Sequence, residues 1–253
     1  NCSSFIKSVN FAVAHKSELK GLLDKLYNSK RYIYSDIGFY LMQYLVEYQA
    51  NTTIDKYVEQ EFYSRLGAKT LGYNPTKKFS IEKIAPTEND NNFCRGQVQG
   101  YVQDFGAALQ GGVAGHSGLF SNADDLAKLM QMYANGGEYG GERFIKKSTL
   151  NYFTSRQCAT NRRGLGFDKN PADGTKGPAT RLASPESFGH TGFAGTFVWA
   201  DPKYNIVFVF LSNRVYPDAQ NNKIKALGIR KRAHSLIYRS LFETENIQNY
   251  VSK

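Results

Sequence analysis

The sequence predicts an α+β fold, with a largely helical first part, then antiparallel strands and a long terminal helix. Three observations carry this. Apolar residues recur at helical spacing from Leu19 to Phe153, the period falls towards two after residue 160, and helical spacing returns from about Asn222 to Phe242. Helices followed by strands do not make the alternating βαβ units of a parallel sheet. The chain of 253 residues reads as a single domain. A helical region spans about 30–160, and a hairpin with the closing helix spans about 161–245.

The elements follow in order. Leu19 to Leu26 has helical spacing, and Tyr34 to Tyr48 is a strongly apolar helix with Ser35 or Asp36 as its cap. Ile54 to Leu66 is amphipathic, with Tyr57, Val58, Phe62 and Leu66 on one side and Gly67 closing it. From Asn74-Pro75 to about Gln99 the residues are polar, with Pro86 and the Asn89 to Asn92 cluster, which predicts a loop. Gly111, Gly112, Gly115 and Gly118 mark a tight backbone passage. Ser121 is the predicted N-cap of a helix from Ala123 to Tyr133, with Asp124 and Asp125 where the helix dipole favours acids, and Gly136-Gly137 ends it. Ser148 caps a short helix through Phe153. Gly164 to Phe167 predicts a short strand and Asp168 to Pro185 a loop. Gly195 to Ala200 and Asn205 to Leu211 form a hairpin through Asp201-Pro202-Lys203-Tyr204. The helix from Asn222 carries Ile224, Leu227, Ile237 and Leu241.

Composition narrows the classes. Hydrophobic residues make up 41% and charged residues 21%, ordinary for a globular protein. No run approaches the ~20 apolar residues of a membrane-spanning helix, and Ile206 to Leu211 is the longest. A net charge of +10 suits either nucleic acid or an anionic envelope polymer. The basic residues are scattered, and the one dense patch, Lys223 to Arg232, falls on a predicted helix as a solvated face, so no nucleic-acid partner is expected. Cys2, Cys94 and Cys158 make neither a disulfide framework nor a zinc spacing, and no metal or other cofactor is expected. The start Asn1-Cys2-Ser3-Ser4 resembles the end of a bacterial lipoprotein signal, in which the cysteine takes a lipid. Membrane contact is expected only through such a lipid.

Two short stretches bear on chemistry. Tyr34-Ser35-Asp36 opens an apolar helix, and Gly189-His190-Thr191-Gly192-Phe193-Ala194-Gly195-Thr196 enters the hairpin. Alone, each has a structural reading, as a helix start and as a close backbone approach. Together, in this order and with Gly189 standing 155 residues after Tyr34, they resemble the second and third motifs of the serine β-lactamase and penicillin-binding-protein superfamily, Tyr-x-Asn and Lys-Thr-Gly or His-Thr-Gly. Tyr57 to Gly72, Gly111 to Leu129 and Phe188 to Asn213 are similar to further family segments, so the resemblance covers about residues 30 to 242. It is nearest to the class C and esterase-like branch, including domains fused behind family 3 glycosidases. It implies an incomplete β-lactamase/transpeptidase-like fold and a serine hydrolase of the periplasm or cell envelope, acting by acyl transfer on an ester, amide or β-lactam, with a small-molecule or peptidoglycan-like substrate. A non-catalytic relative that binds envelope glycan, peptide or protein is the alternative.

Acyl transfer needs a nucleophile, a proton acceptor and donors aimed at the developing oxyanion. By resemblance, Tyr34 is the acid/base group and His190 stands where the family usually has Lys. Thr191 would bond a substrate carboxylate or Tyr34, Gly192 would let the backbone approach the substrate, and the Phe193 N–H would be half of an oxyanion hole. Asp36 replaces the family Asn and brings a charge that an amide lacks. Gln103 in Gly100-Tyr101-Val102-Gln103-Asp104 stands where relatives have His, and His116 in the Gly115 to Gly118 turn reads as structural.

The family nucleophile is the serine of Ser-x-x-Lys, well upstream of Tyr-x-Asn. Only 33 residues precede Tyr34. Ser17 to Lys20 and Ser80 to Lys83 have the string in the wrong place, and Ser4 with Lys7 is the best-ordered candidate. The nucleophile is therefore unassigned. The chain is expected to be inactive alone and to partner the N-terminal part of the same polypeptide, with the hairpin edge or the apolar face of the closing helix uncovered.

Overall fold

The computed structural model describes Tyr32 and residues 34–90, 95–159 and 161–251, with side chains to residue 243. The predicted helix Leu19 to Leu26 lies outside these residues, as do Cys2, Ser4, Lys7 and Cys94. Helix α1 (Ile37–Ala50) has Asp36 at its N-cap position without a side-chain cap bond. The exposed Ser35 Oγ instead accepts the Ile37 N–H at 3.3 Å. Helix α2 (Ile54–Val58) runs into a π-helical turn, Glu59–Tyr63. Gly67, at φ +63°, closes the segment as the sequence predicts, and the Ala68 N–H reaches back to the Tyr63 carbonyl at 2.9 Å. Its apolar side joins Tyr63, Leu66 and Leu71 to Met132 in one core cluster.

The stretch predicted as a loop after Asn74 contains a hairpin. Strand β1 (Gly72–Tyr73) precedes it, and β2 (Pro86–Asp90) pairs antiparallel with β3 (Gly96–Gln99). The physical reason lies in Arg95. Its guanidinium bonds Glu88 and Asp90 at 2.6 Å each, donates to the Val102 and Gln103 carbonyls, and stacks 4.4 Å from the Phe105 ring centroid. Two acids are buried by pairing, so a half-buried hairpin has the composition of a solvated loop.

Helix α3 (Phe105–Leu109) is capped by Asp104, whose Oδ1 accepts the Ala107 N–H at 2.9 Å. Strand β4 (Leu119–Phe120) returns to pair with β1. Helix α4 (Ala123–Ala134) is capped by Asn122, not Ser121: the Asn122 Oδ1 accepts the Asp125 N–H at 2.9 Å. Asp125 accepts both the N–H and the hydroxyl of Thr70 at 2.7 Å, fixing α4 to the loop before β1. Strands β5 (Glu138–Tyr139) and β6 (Glu142–Arg143) make a two-stranded turn. Helix α5 (Lys147–Thr154) then places Ser148 inside its first turn, with Lys146 at the cap. The region predicted as helical thus also holds three two-stranded sheets. Gly164 to Phe167 makes no strand. Gly164 donates to the Phe167 carbonyl across a turn, and only Asp168 bridges to Gly189.

Strands β7 (Phe188–Thr191), β8 (Phe197–Asp201) and β9 (Ile206–Phe210) form an antiparallel sheet in that order. Helix α6 (Lys223–Ala226) is separated from α7 (Ile229–Val251) by Gly228 at φ +61°, so the predicted closing helix is two helices. Alternation along the strands gives the sheet two apolar faces. Phe197, Trp199 and Phe208 meet His234 of α7, with Phe208 stacked on that imidazole at 4.8 Å between ring centroids. On the other face Phe188, Val198, Ala200 and Val207 pack with Met130 and Tyr133 of α4. Among the described residues, no strand pairs with the outer edge of β9, and Leu236 and Ile237 of α7 are exposed. The architecture is mixed helix and antiparallel sheet, as the periodicity predicts.

Candidate active site

Strand β7 places the site. In its register with β8, His190 faces Val198 and Gly189 faces Trp199. A Cβ at Gly189 would run into the Val198 carbonyl and the Trp199 ring, so glycine is required for the two strands to close. His190 therefore comes off the face directed at the loop between α5 and β7. There its Nε2 lies 2.9 Å from Nη1 of Arg163, and its Nδ1 lies 2.9 Å from the Thr191 carbonyl oxygen. A guanidinium only donates, so Nε2 accepts and Nδ1 carries the ring proton. The ring is held as the neutral Nδ1–H tautomer. Burial pushes its pKa below the usual histidine value, and the positive charge of Arg163 acts in the same sense against the Thr191 carbonyl.

Arg163 also reaches the helical motif. Its guanidinium carbon stands 5.1 Å from the Tyr34 ring centroid and 6.0 Å from that of Tyr32. Partial burial raises the Tyr34 pKa, Asp36 raises it further, and Arg163 opposes both. The arginine is locked in place from behind. A Cβ at Gly164 would strike the Phe153 carbonyl, the Gln157 N–H bonds the Arg163 carbonyl, and Nη2 lies 3.5 Å from Asp168. Asp168 is itself held by a two-pronged pair with Arg162, at 2.7 and 2.9 Å. Nε of Arg163 is buried with no hydrogen-bond partner.

The turn after β7 supplies a backbone donor. Gly192 N–H bonds the Thr196 carbonyl at 2.8 Å and Gly195 N–H bonds the Gly192 carbonyl at 3.1 Å, closing a tight turn around Phe193 and Ala194. A Cβ at Gly192 would meet the Thr196 hydroxyl, and Gly195 sits at φ +102°. Arg214 Nε donates to the Phe193 carbonyl at 2.9 Å while its guanidinium lies 4.6 Å from the exposed Phe193 ring. The Phe193 N–H has no acceptor among the described residues. It is a fixed, unused donor at the strand end.

Of the residues singled out in the sequence, Tyr34 and His190 come together on Arg163, and Gly192 and Phe193 shape the adjoining turn. The Thr191 hydroxyl bonds neither Tyr34 nor any other described group. Asp36 groups with Asp104 and His116. His116 Nε2 meets Asp104 Oδ1 at 2.7 Å, and its ring packs edge-on to Tyr40 at 4.6 Å. The sequence does not single out Arg163. Its only signal is a basic pair, Arg162-Arg163, ahead of a glycine in a loop, which carries no periodicity.

The model of the β-lactamase family matches residues 22–230. A "Putative D-alanyl-D-alanine carboxypeptidase" of Salmonella typhi is 35% identical over 206 residues, which is 77% of this chain and 48% of that protein. The same-named protein of Salmonella newport matches equally. The chain thus spans about half the length of these curated relatives. Among solved structures, a β-lactamase from Mycobacterium bovis superposes with a TM-score of 0.56 at 19% identity, over 83% of this chain and 64% of the other. The octameric penicillin-binding protein homologue from Pyrococcus abyssi gives 0.51 at 18%, over 80% and 44%. These likenesses speak for the fold. With the family model matching most of its length, the chain belongs to the β-lactamase family.

Proposed function

We propose that this chain carries the tyrosine-and-histidine side of a serine acyl-transfer site, in a hydrolase of ester, amide or β-lactam bonds at the cell envelope. The observation that carries the reading is Arg163. One side chain touches both the Tyr34 ring and His190 Nε2, next to a strand-end turn with a free Phe193 N–H. In this reading Tyr34 exchanges the proton of the nucleophile, with Arg163 favouring its phenolate. The Phe193 N–H stabilises the oxyanion as the acyl carbon becomes tetrahedral. Neutral His190 accepts a hydrogen bond from Arg163 and so orients the guanidinium towards Tyr34, and it does not act as a fixed cation. Peptides ending in D-Ala-D-Ala are the substrate class suggested by the name of the Salmonella relatives.

The serine is proposed to come from a Ser-x-x-Lys segment outside the described residues. Ser80, the described serine of such a string, stands at the N-cap position of the short helical turn Ile81–Lys83 without a side-chain cap bond, and no contact joins it to Tyr34 or His190. The test is intact-mass spectrometry after incubation with a fluorophosphonate and with a penicillin. We expect no stoichiometric adduct on the 253-residue chain, and an adduct on a polypeptide that also carries Ser-x-x-Lys upstream. An adduct on the chain itself that vanishes in Ser4→Ala would make Ser4, with Lys7, the nucleophile and overturn that assignment.

A further inference from the structure

A second constellation stands beside the first. Asp36 begins α1, Asp104 caps α3, and His116 sits in the glycine turn before β4, each from a different segment. One ligand atom of each lies within 4.8 Å of the other two. The three segments are pinned together. Gln43 Oε1 accepts the Gly115 N–H at 2.9 Å, a Cβ at Gly115 would come 2.6 Å from the Phe39 carbonyl, and one at Gly106 would overlap the Tyr40 hydroxyl. The arrangement is set by backbone packing and not by loose side chains.

Charge in this cluster is unbalanced. Two carboxylates face each other, and among the described residues no lysine or arginine forms an ion pair with either. The His116 side chain is only 4% exposed. Its Nδ1 is buried without a partner, so Nε2 is the ring's sole polar outlet, and it points at Asp104 with the Tyr40 hydroxyl 3.5 Å away. Asp104 spends Oδ1 on the α3 cap and on His116, which leaves Oδ2 unbonded. Asp36 makes no side-chain bond and opens to solvent.

We propose that Asp36, Asp104 and His116 form a divalent-cation site of the zinc type, with water at the solvent side. One imidazole and two carboxylates suit a borderline ion better than magnesium or calcium, which take oxygen alone. Ligands on a tetrahedral zinc at about 2.1 Å stand roughly 3.4 Å apart, so His116 Nε2 and Asp104 Oδ1, at 2.7 Å, must part slightly or leave the metal to Oδ2, while the exposed Asp36, within 4.8 Å of both, is free to swing in. His116 enters as a neutral imidazole with its one proton on Nδ1 and the Nε2 lone pair on the metal. The departure from Asn to Asp at position 36 has a role here, because a carboxylate binds a cation far better than an amide does. In sequence the three ligands are 68 and 12 residues apart, a spacing no zinc pattern matches.

The test does not use activity, so its result is independent of the acyl-transfer reading. The 253-residue chain and its Asp36→Asn and His116→Gln variants are dialysed against zinc, and bound metal is measured by elemental analysis. Cobalt replaces zinc for visible spectroscopy. We expect one zinc per chain, about tenfold or more weaker binding in Asp36→Asn with an unchanged melting temperature, and loss of the site in His116→Gln. Cobalt should show visible ligand-field bands without a sulfur charge-transfer band. Asp36 makes no side-chain bond, so its variant tests the site even where His116→Gln fails to fold. No retained zinc, equal affinity in Asp36→Asn, or a cobalt–sulfur band from a cysteine would each overturn the proposal.

Discussion

A guanidinium has five N–H groups and no acceptor, so the 2.9 Å contact from Arg163 to His190 Nε2 dictates where the imidazole proton sits. To gain a second proton, the ring would have to give up that bond and tolerate a neighbouring cation. Arg163→Gln removes the cation and leaves an amide that can rotate. His190 should then titrate at higher pH than in the parent, read from its ring resonances by NMR across pH. Arg163→Lys should keep most of the parent's suppression, because the charge remains while the planar fork is lost. An unchanged His190 titration in Arg163→Gln would mean that burial alone holds the ring neutral. Tyr34 and His190 were legible in the sequence because each belongs to a contiguous motif. Arg163 was not, since it reaches both motifs only through a loop whose path is set by Gly164 packing on the Phe153 carbonyl. Proximity of that kind leaves no local pattern.

At the scale of elements, the end of β8 is tied to α7 through one buried carboxylate. Asp201 accepts the Tyr238 hydroxyl at 2.6 Å, the Ser184 hydroxyl at 2.6 Å and the Ser184 N–H at 2.8 Å, with no exposure to solvent. Tyr238→Phe keeps the ring that packs against Tyr204 and His234 and removes only the donor. Hydrogen bonds to charged groups are worth about 1.5–3 kcal/mol, and urea unfolding of the variant should show a loss in that range. A loss within error would assign the junction to ring packing alone. The hairpin β8–β9 and helix α4 could be read from alternation and caps, to within a residue or two. The hairpin β2–β3 could not. Its inward residues are Glu88, Val98 and Asp90, and hydrophobic patterning does not register a sheet whose interior is an ion-paired arginine.

Across the whole molecule, acid stability should be governed in part by His234. The ring is fully buried between the sheet and α7, its Nε2 has no partner, and burial pushes its pKa down to about 4. The unfolded chain binds a proton near pH 6.5 and the folded chain only near 4, so U holds more protons in that window. Stability is complete above about pH 6.5 and declines as pH falls towards 4, by on the order of 3 kcal/mol from this group. His234→Phe should flatten the decline between about pH 7 and about pH 5 in urea midpoints, relative to the parent. An equal slope in both would place the acid sensitivity elsewhere. The closing helix looks like one piece in the sequence because its apolar period continues across Gly228, although the chain turns there at positive φ.

Strand β9 has one further consequence. In an antiparallel edge strand, successive amides alternate between the partner strand and the open side. Along Ile206–Phe210 every second N–H is therefore bonded to β8, while those between face outward among the described residues. The run is Ile-Val-Phe-Val-Phe, so a segment with the strongest tendency to extend also alternates protected amides with freely exchanging ones. Its hydrogen-exchange trace would have a two-residue rhythm, and whatever segment covers that edge would be recognised by the rhythm disappearing.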